Sequence, residues 1–399
     1  MKTIFSFIKR ESVLFIAVVL AIFSMFVVTP DEQYISYIDF RTLAILFSLM
    51  AIVSGFRKLG IFDMLAKKML SSVKSLRGLT AVLIFLCFFT SMVITNDVAL
   101  ITFVPFTIII MNQMGEDFKN KWLLKIVALQ TIAANLGSMF TPIGNPQNLY
   151  LFGISNLNIL DFFMLMLPFT LIAFALLIIY IFSTCRTKEF SVNGNTDKTD
   201  NIADTYKNQA TSINENTSKA DNIAGTNKSK KKLIVYIILL ILSILCVGRI
   251  IPYQLIFILV FMYTILRDRK ILLEVDYPLL ATFAALFIFI GNIERVSAFS
   301  NFLQSIISRH EIITSVVASQ IMSNVPAAIL LSQFTDNISK LIIGINIGGL
   351  GTIIASMASL ISFKYIAREN PAFKRRYLML FTVYGLVFLI VLLIAAHII

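Results

Sequence analysis

Four short polar segments interrupt long apolar runs of the sequence. They are Thr95-Asn96-Asp97, Asn135 to Asn148, Ser323-Asn324-Val325 and Asn346 to Thr352. Within hydrocarbon, a helix break is tolerated only where the backbone lines a cavity or is buried in protein. Side-chain oxygens of Asn, Ser and Thr and unwound carbonyls suit a hard cation such as sodium, whereas the beginning of a helix offers N–H groups to an anion. The four segments therefore predict a binding site inside the membrane.

The candidate site residues all come from these segments. The candidates for substrate binding are Thr95, Asn96, Asn145, Pro146, Asn148, Ser323, Asn324 and Thr352. The candidates for coupling to an ion are Asn96, Asp97, Asn135, Thr141, Gly144, Asn324, Asn346, Gly348 and Gly351. We expect no catalytic residue, no organic cofactor and no metal other than sodium.

Asp97 is the carboxylate that lies well inside an apolar segment. A charge at the centre of a bilayer costs about 2.5 to 3.5 kcal/mol on insertion scales, so such a residue is a functional candidate by default. We interpret Asp97 as a sodium ligand or a proton carrier. The alternative is a structural role, in which its side chain caps the beginning of the following helix.

The composition is that of a protein with many membrane spans. Of 399 residues, 58% are hydrophobic and 14% are charged, against roughly 25% charged in soluble domains, and the mean hydropathy is +0.85. The net charge of +12 comes from basic residues in short loops between apolar runs, as expected of cytoplasmic loops. The charge therefore indicates a lipid bilayer, and not nucleic acid, as the partner. Isolated histidines and scattered cysteines argue against a metal centre.

The elements that must position the site form two halves. The first half, residues 1–188, contains a broken hairpin at 78–111 and a broken span at 126–154. A polar linker at 189–229 is too poor in apolar residues to fold. The second half, residues 230–399, contains a hairpin at 312–334 and a broken span at 341–363. The fold class is an all-α polytopic membrane protein with about nine spanning helices, two re-entrant hairpins and two broken helices.

Charge in the loops also predicts the orientation of the chain. The N-terminus and the linker are expected in the cytoplasm and the C-terminus outside. The arms of the first hairpin read as about 14 to 17 residues, at or below spanning length, which favours a re-entrant hairpin.

The two halves run in the same order: span, amphipathic stretch, hairpin, broken span, span. The first hairpin opens to the cytoplasm and the second to the outside, so the halves form an inverted repeat. Asn96 and Asn324 lie at the two tips, and Asn135 and Asn346 begin the two breaks. An inverted repeat with interrupted helices at matching positions is typical of secondary transporters, which bind their substrate near the midplane.

At these motifs the chain resembles the ion transporter superfamily, which includes divalent-anion:sodium symporters, citrate carriers and arsenical pump membrane proteins. The resemblance rests on the tips Thr95-Asn96-Asp97 and Ser323-Asn324-Val325 and on the loop Gly144 to Asn148. It implies two sodium ions at the tips and broken spans, a clamp on substrate carboxylates, and a homodimer with a moving transport domain. Symporters of the group carry Ser-Asn-Thr at both tips, so Asp97 and Val325 are departures. The Asn-Asp tip is more similar to the arsenical pump branch, which implies proton-coupled export of arsenite or antimonite.

Several functions follow from these patterns. The leading one is a secondary active transporter that moves an anion, either a carboxylate or a small oxyanion, across the plasma (inner) membrane with sodium or protons. The alternatives are an arsenite/antimonite efflux permease and a sodium/proton antiporter. An enzyme would need a nucleophile–base pair or paired carboxylates inside the membrane. Two facing closed hairpins fit a transporter that works by alternating access better than they fit a channel with a continuous pore.

Overall fold

The computed structural model describes residues 11–70, 73, 75–184 and 227–399. Within those ranges the regular structure is helical. The first half contains α1 (Ser12–Val27), α2 (Gln33–Tyr37), α3 (Phe40–Lys58), α4 (Ile61–Leu70), α5 (Leu76–Ile94), α6 (Asn96–Gln113), α7 (Glu116–Ser138), α8 (Pro146–Ile154) and α9 (Ile159–Thr184). The second half contains α10 (Asn227–Val247), α11 (Tyr253–Arg267), a 3-10 helix (Arg269–Glu274), α12 (Tyr277–Glu294), α13 (Ser297–Ile307), α14 (Glu311–Met322), α15 (Asn324–Ser332), α16 (Ile338–Gly348), α17 (Met357–Glu369) and α18 (Phe373–Ile398).

Helix length and composition confirm the predicted class, an all-α polytopic membrane protein. Six helices in the described ranges, α3, α5, α6, α9, α12 and α18, are long and apolar enough to cross a membrane. Shorter apolar helices such as α1, α11, α14 and α16 add to the apolar body. Large apolar side chains remain exposed along α9 and α18, including Leu171, Ile179 and Val383, as expected of surfaces that face lipid. The count of about nine spans stays a prediction.

The first hairpin is longer than the sequence predicted. Its arms α5 and α6 have 19 and 18 residues, not 14 to 17. The first arm begins earlier because Ser75 caps α5, its hydroxyl accepting the Gly78 N–H at 3.1 Å. The second arm runs from Asn96 to Gln113 with Pro105 inside the helix, two residues beyond the predicted end at 111. The second hairpin is shorter, with arms α14 and α15 of 12 and 9 residues.

Both predicted broken spans are interrupted helices, and both are longer than the predicted ranges 126–154 and 341–363. In the first, α7 and α8 are separated by residues 139–145; in the second, α16 and α17 are separated by residues 349–356. The first break ends at Asn145, whose side chain accepts the Asn148 N–H, and Pro146 opens α8. This combination is a strong helix start, since Pro lacks an N–H that the first turn could not use.

The hairpins and broken spans pack together, and the remaining helices pack beside them. α7 lies against α5, α6 and α18, and α16 lies against α14 and α15. Separately, α1 packs on α12, and α3 packs on α10 and α11. Residues 185–226, which hold most of the predicted linker at 189–229, lie outside the described residues. The last residues of that range, 227–229, already belong to α10.

An ion cluster joins α3 to α10 and α11 at the end for which the loop charges predict a cytoplasmic location. Asp268 is 8% exposed and accepts hydrogen bonds from Lys58 at 3.1 Å, Lys232 at 2.8 Å and the Tyr236 hydroxyl at 3.1 Å. Burial by itself would raise the pKa of Asp268, but the hydrogen bonds from Lys232 and Lys58 outweigh it, so the pKa of this carboxyl lies below its ordinary value. The cluster connects the two halves of the chain.

Candidate functional site

The first hairpin tip lies against the first broken span. The Asn96 N–H donates to the Gly144 carbonyl at 3.1 Å, and its side-chain amide donates to Asn135 Oδ1 at 3.0 Å. Asn96 is 5% exposed. Thr95 has a φ of 72°, a conformation that costs a residue with a Cβ on the order of 1 to 3 kcal/mol and persists only when its surroundings enforce it. Here the two hydrogen bonds of the next residue, Asn96, to Gly144 and Asn135 hold Thr95 in this conformation.

The second tip repeats this arrangement on the second broken span. Ser323 has a φ of 75°, and the Asn324 N–H donates to the Ala355 carbonyl at 2.9 Å. The amide of Asn324 lies against Gly349, where an added Cβ would come within 2.9 Å of Nδ2. Each tip is thus held by a backbone hydrogen bond to a carbonyl near the end of a break.

The two broken spans meet through Asn135 of α7. Its Oδ1 accepts the hydroxyl of Ser356 at 3.1 Å, and its Nδ2 lies 3.4 Å from Ser359 Oγ. Ser356 is the residue before α17, and Ser359 lies in the first turn of that helix. The first broken span therefore contacts, through α7, the beginning of the helix that follows the second break.

Asn346 of α16 makes the corresponding contacts in the other direction. Its Oδ1 accepts from Asn145 Nδ2 at 3.3 Å, and its Nδ2 donates to Asn148 Oδ1 at 2.7 Å. Asn145 and Asn148 stand at the beginning of α8, as Ser356 and Ser359 stand at the beginning of α17. The beginnings of α6 and α8, and likewise of α15 and α17, are thus connected by hydrogen bonds near one centre.

The loop of the first break presents three carbonyls to one amide. Asn148 Nδ2 lies 3.4 Å from the Ser138 carbonyl, 3.4 Å from that of Met139 and 3.2 Å from that of Thr141. The Thr141 hydroxyl donates to the Met92 carbonyl at 2.6 Å, which joins this loop to α5.

The loop of the second break is organised by Gln320 of α14. Gln320 Nε2 donates to the carbonyls of Gly348 at 2.8 Å and Leu350 at 2.9 Å, and Oε1 accepts the Thr352 N–H at 3.0 Å. Gly351 has a φ of +96°, and an added Cβ would lie 2.8 Å from Gln320 Oε1. The Thr352 hydroxyl is buried without a hydrogen-bond partner among the described residues.

Asp97 is partly buried at the start of α6. Its N–H donates to Asn96 Oδ1 at 2.9 Å. No hydrogen bond or ion pair reaches its carboxylate from the described part of the chain, and the residue before α6, Thr95, makes no side-chain cap. The carboxylate therefore has no capping contact in this conformation, which weakens the structural interpretation of Asp97.

The structure brings most of the sequence candidates together. Both tips contact the break of their own half, and the two broken spans contact each other. Gly351 and Thr352 pack against Gln320, while an added Cβ on Gly348 would come within 2.8 Å of Ser319 Oγ. Sequence reasoning missed four residues of the site: Ser138, Gln320, Ser356 and Ser359. A signal existed for two of them, since Ser356 and Ser359 repeat the spacing of Asn145 and Asn148.

The site has no cationic side chain among its described contacts. Every side chain that hydrogen-bonds at the tips and breaks is an uncharged amide or hydroxyl. A ligand there would meet helix beginnings, amides, hydroxyls and carbonyls. Such groups can hold an anion at N–H donors and a hard cation at oxygen atoms.

Comparison with known proteins gives matches over most of the chain. The sequence profile described as citrate transporter matches residues 3–340. An uncharacterized transporter of Methanocaldococcus jannaschii is 33% identical over 351 residues, covering 88% of this chain and 88% of the relative. The inner membrane protein YbiR of Escherichia coli is 26% identical over 346 residues, covering 86% and 84%. A silicon efflux transporter of Oryza sativa subsp. japonica is 29% identical over 142 residues, covering 36% of this chain and 28% of the relative.

Proposed function

Because the chain belongs to the citrate transporter family, we propose that it is a secondary active transporter. It moves a small anion, a carboxylate or an oxyanion, across the plasma membrane by alternating access and couples this movement to sodium or protons. The family and the relatives support transport across a membrane; the substrate class, the coupling and the mechanism are our proposal.

One observation carries the proposal: the reciprocal contact of the two broken spans. Asn135 contacts the residues that begin α17, and Asn346 contacts the residues that begin α8. These matched contacts support an inverted repeat whose halves meet at a shared site. Such repeats place substrate and coupling ion at the interface between the halves, where movement of one group of helices exposes the site to either side in turn.

The chemistry of the site supports an anion as substrate. Each helix beginning carries partial positive charge and N–H groups without intrahelical partners. Several such beginnings near one centre can hold a carboxylate or an oxyanion without arginine or lysine. The carbonyls and the Asp97 carboxylate supply oxygen ligands for a cation beside the anion.

Binding can be tested before transport is measured. Purified protein is heated in detergent with citrate, dicarboxylates, phosphate, sulfate or arsenite, with and without sodium. A substrate should raise the unfolding temperature, because binding to the folded state stabilises it, and the rise should disappear in the double variant N96A/N324A. A rise that is equal in the double variant would contradict a site at the two tips.

A second candidate is efflux of an uncharged hydroxylated oxyacid such as arsenous acid. The observation that favours it is the uncharged character of the site's side chains, since amides and hydroxyls suit hydroxyl groups as hydrogen-bond partners. A relative named as a silicon efflux transporter matches part of the chain. Cells that express the protein would tolerate arsenite better under this alternative, and would be unaffected if the substrate is a carboxylate.

A further inference from the structure

The side chain of Gln320 hydrogen-bonds to the carbonyls of the second break, and this contact distinguishes the second break from the first. Unwound carbonyls inside a membrane need a donor or a cation as partner. In the second break, Gln320 Nε2 donates at short distances, 2.8 Å to the Gly348 carbonyl and 2.9 Å to the Leu350 carbonyl, and it also lies 3.3 Å from the Val316 carbonyl of its own helix. Oε1 also accepts the Thr352 N–H. A cation on these carbonyls would have to displace the amide and leave it unpaired.

The first break has no such residue. Gln320 lies three positions before Ser323, and the residue three positions before Thr95 is Met92, which has no donor in its side chain. The amide that faces the first break, Asn148 Nδ2, makes longer contacts with the break, at 3.2 to 3.4 Å to three carbonyls. Hydrogen bonds of this length are weak, since N–H···O distances cluster near 2.9 to 3.0 Å. The carbonyls of the first break therefore keep capacity to bind a cation.

The two tips also differ in charge, and this difference again favours a cation at the first tip. The residue after Asn96 is Asp97, whose carboxylate has no partner among the described residues, whereas the residue after Asn324 is Val325, which is 4% exposed and apolar. A carboxylate at the tip can ligate a hard cation, and a buried valine cannot. Met92 differs from Gln320, and Asp97 differs from Val325. Both differences favour a cation in the first half of the molecule.

We infer that the coupling cation is a single sodium ion bound at the first tip and first break, and that Gln320 occupies the corresponding position in the second break and excludes a second ion. The inference rests on the proposed transport function, which it makes more specific. Gln320 is a positioning residue in this account: its side chain fixes the loop 348–352 through hydrogen bonds to the Gly348 and Leu350 carbonyls and the Thr352 N–H. Sodium binding to the wild-type protein should then show a Hill coefficient of about 1.

Hydrogen–deuterium exchange of the whole purified protein tests the inference at each loop. Sodium chloride is titrated against choline chloride at constant ionic strength and pH 8. In the wild type, sodium should slow exchange in peptides that cover 95–98 and 138–145 and leave 348–356 unchanged. In the isosteric variant Gln320→Glu, the second loop loses two donors and gains an acceptor. Its exchange without sodium should rise about tenfold, since its amides open more easily, and sodium should now slow it.

Gln333→Glu is the matched control. Gln333 is exposed and donates to the Tyr150 hydroxyl at 3.4 Å, and not to a residue of the loop, so this variant should leave both loops as in the wild type. Sodium protection of both loops in the wild type would overturn the inference and leave cation-coupled transport standing. Absence of sodium protection at the first loop would overturn it as well, while substrate binding by thermal shift would still test the transport function separately. The wild-type result decides the question even if Gln320→Glu does not fold.

Discussion

Asn96 and Asn324 join the hairpin tips to the breaks through a backbone N–H, and both side chains lie within the buried centre. Replacing either by Ala removes an amide that contacts the break or the ligand. Loss of one hydrogen bond to a charged ligand costs about 1.5 to 3 kcal/mol, or roughly 10- to 100-fold in affinity. We expect each variant to lower uptake into proteoliposomes by that factor.

Asn156→Ala is the control for both variants, because Asn156 is exposed in the loop after α8. It should transport at the wild-type rate. If Asn96→Ala and Asn324→Ala are as active as Asn156→Ala, the tips do not bind the substrate.

Asp97 sets the coupling in our account. In Asp97→Asn the charge is lost and the shape is kept, so the substrate should still exchange between equal concentrations across the membrane. Accumulation driven by an ion gradient should disappear, because the cation no longer binds with the substrate. Both modes are measured in proteoliposomes with labelled substrate.

Asp161→Asn is the matched control for this prediction, since the Asp161 carboxylate only accepts the Asn158 N–H at an exposed helix start. Accumulation that persists in Asp97→Asn to the same level as in Asp161→Asn would remove Asp97 from the coupling mechanism.

At the scale of residues, the sequence predicted the site where polarity conflicts with an apolar surrounding. Asn96, Asn135, Asn145 and Asn346 stood out for that reason, and the structure places them in one connected set. Gln320 could not be predicted in the same way. A single Gln in a helix is common, and its importance depends on which carbonyls the fold brings to its amide.

At the scale of elements, α5 and α7 approach so closely that only glycine fits between them. A Cβ on Gly137 would lie 1.9 Å from the Phe88 carbonyl and 2.5 Å from Ser91 Oγ. Small residues allow this approach between membrane helices. Gly137→Ala should therefore destabilise the fold by about 3 kcal/mol, because a backbone carbonyl cannot move aside as a side-chain end can.

Thermal unfolding in detergent measures this effect. Gly78→Ala is the control, since a Cβ there would be 3.3 Å from Ser75 Oγ and Ala favours a helix. If the unfolding temperatures of the two variants match, the close contact between α5 and α7 is not required.

The order of the elements followed from periodicity and breaks, but their lengths did not. The sequence predicted arms of about 14 to 17 residues for the first hairpin because Thr95-Asn96-Asp97 breaks the apolar run at 78–111 near its middle. Ser75 instead begins α5 by capping it, and α6 continues through Pro105 to Gln113. Such outcomes depend on what neighbouring helices provide for the freed backbone groups.

At the scale of the whole molecule, Asp268 links α3 of the first half to α10 and α11 of the second. Its pKa lies below the ordinary value, so its contribution to stability is fully present above the unfolded pKa of about 3.9. That contribution is lost as the pH falls through the lower pKa of the folded state. Asp268→Asn should cost about 1.5 kcal/mol at pH 7, at the low end for hydrogen bonds to a charged group because both lysines are partly exposed.

Thermal unfolding of wild type and Asp268→Asn from pH 7 to pH 3 measures this contribution. The difference between them should narrow below about pH 3.9. Asp117→Asn, at an exposed carboxylate in the first turn of α7, should change little. A difference between wild type and Asp268→Asn that is constant over the whole range would show that the charge of Asp268 does not stabilise the fold.

The class was predictable because the sequence contains long apolar runs with polar breaks, while the organisation in two inverted halves stays a prediction. The contacts of Asn135 with Ser356 and Ser359, and of Asn346 with Asn145 and Asn148, required the three-dimensional arrangement. The cytoplasmic N-terminus, the external C-terminus and the homodimer stay predictions from loop charge and family resemblance.

The most direct test of the central claim is gradient-driven accumulation in proteoliposomes. Labelled citrate, dicarboxylates, phosphate, sulfate and arsenite are offered in turn, with an imposed sodium gradient or an imposed pH gradient. We predict that one substrate accumulates above its external concentration, that an ionophore for the driving ion abolishes the accumulation, and that the double variant N96A/N324A shows none. Uptake that only equilibrates under every gradient, or that is unchanged in the double variant, would contradict a secondary active transporter with its site at the two tips.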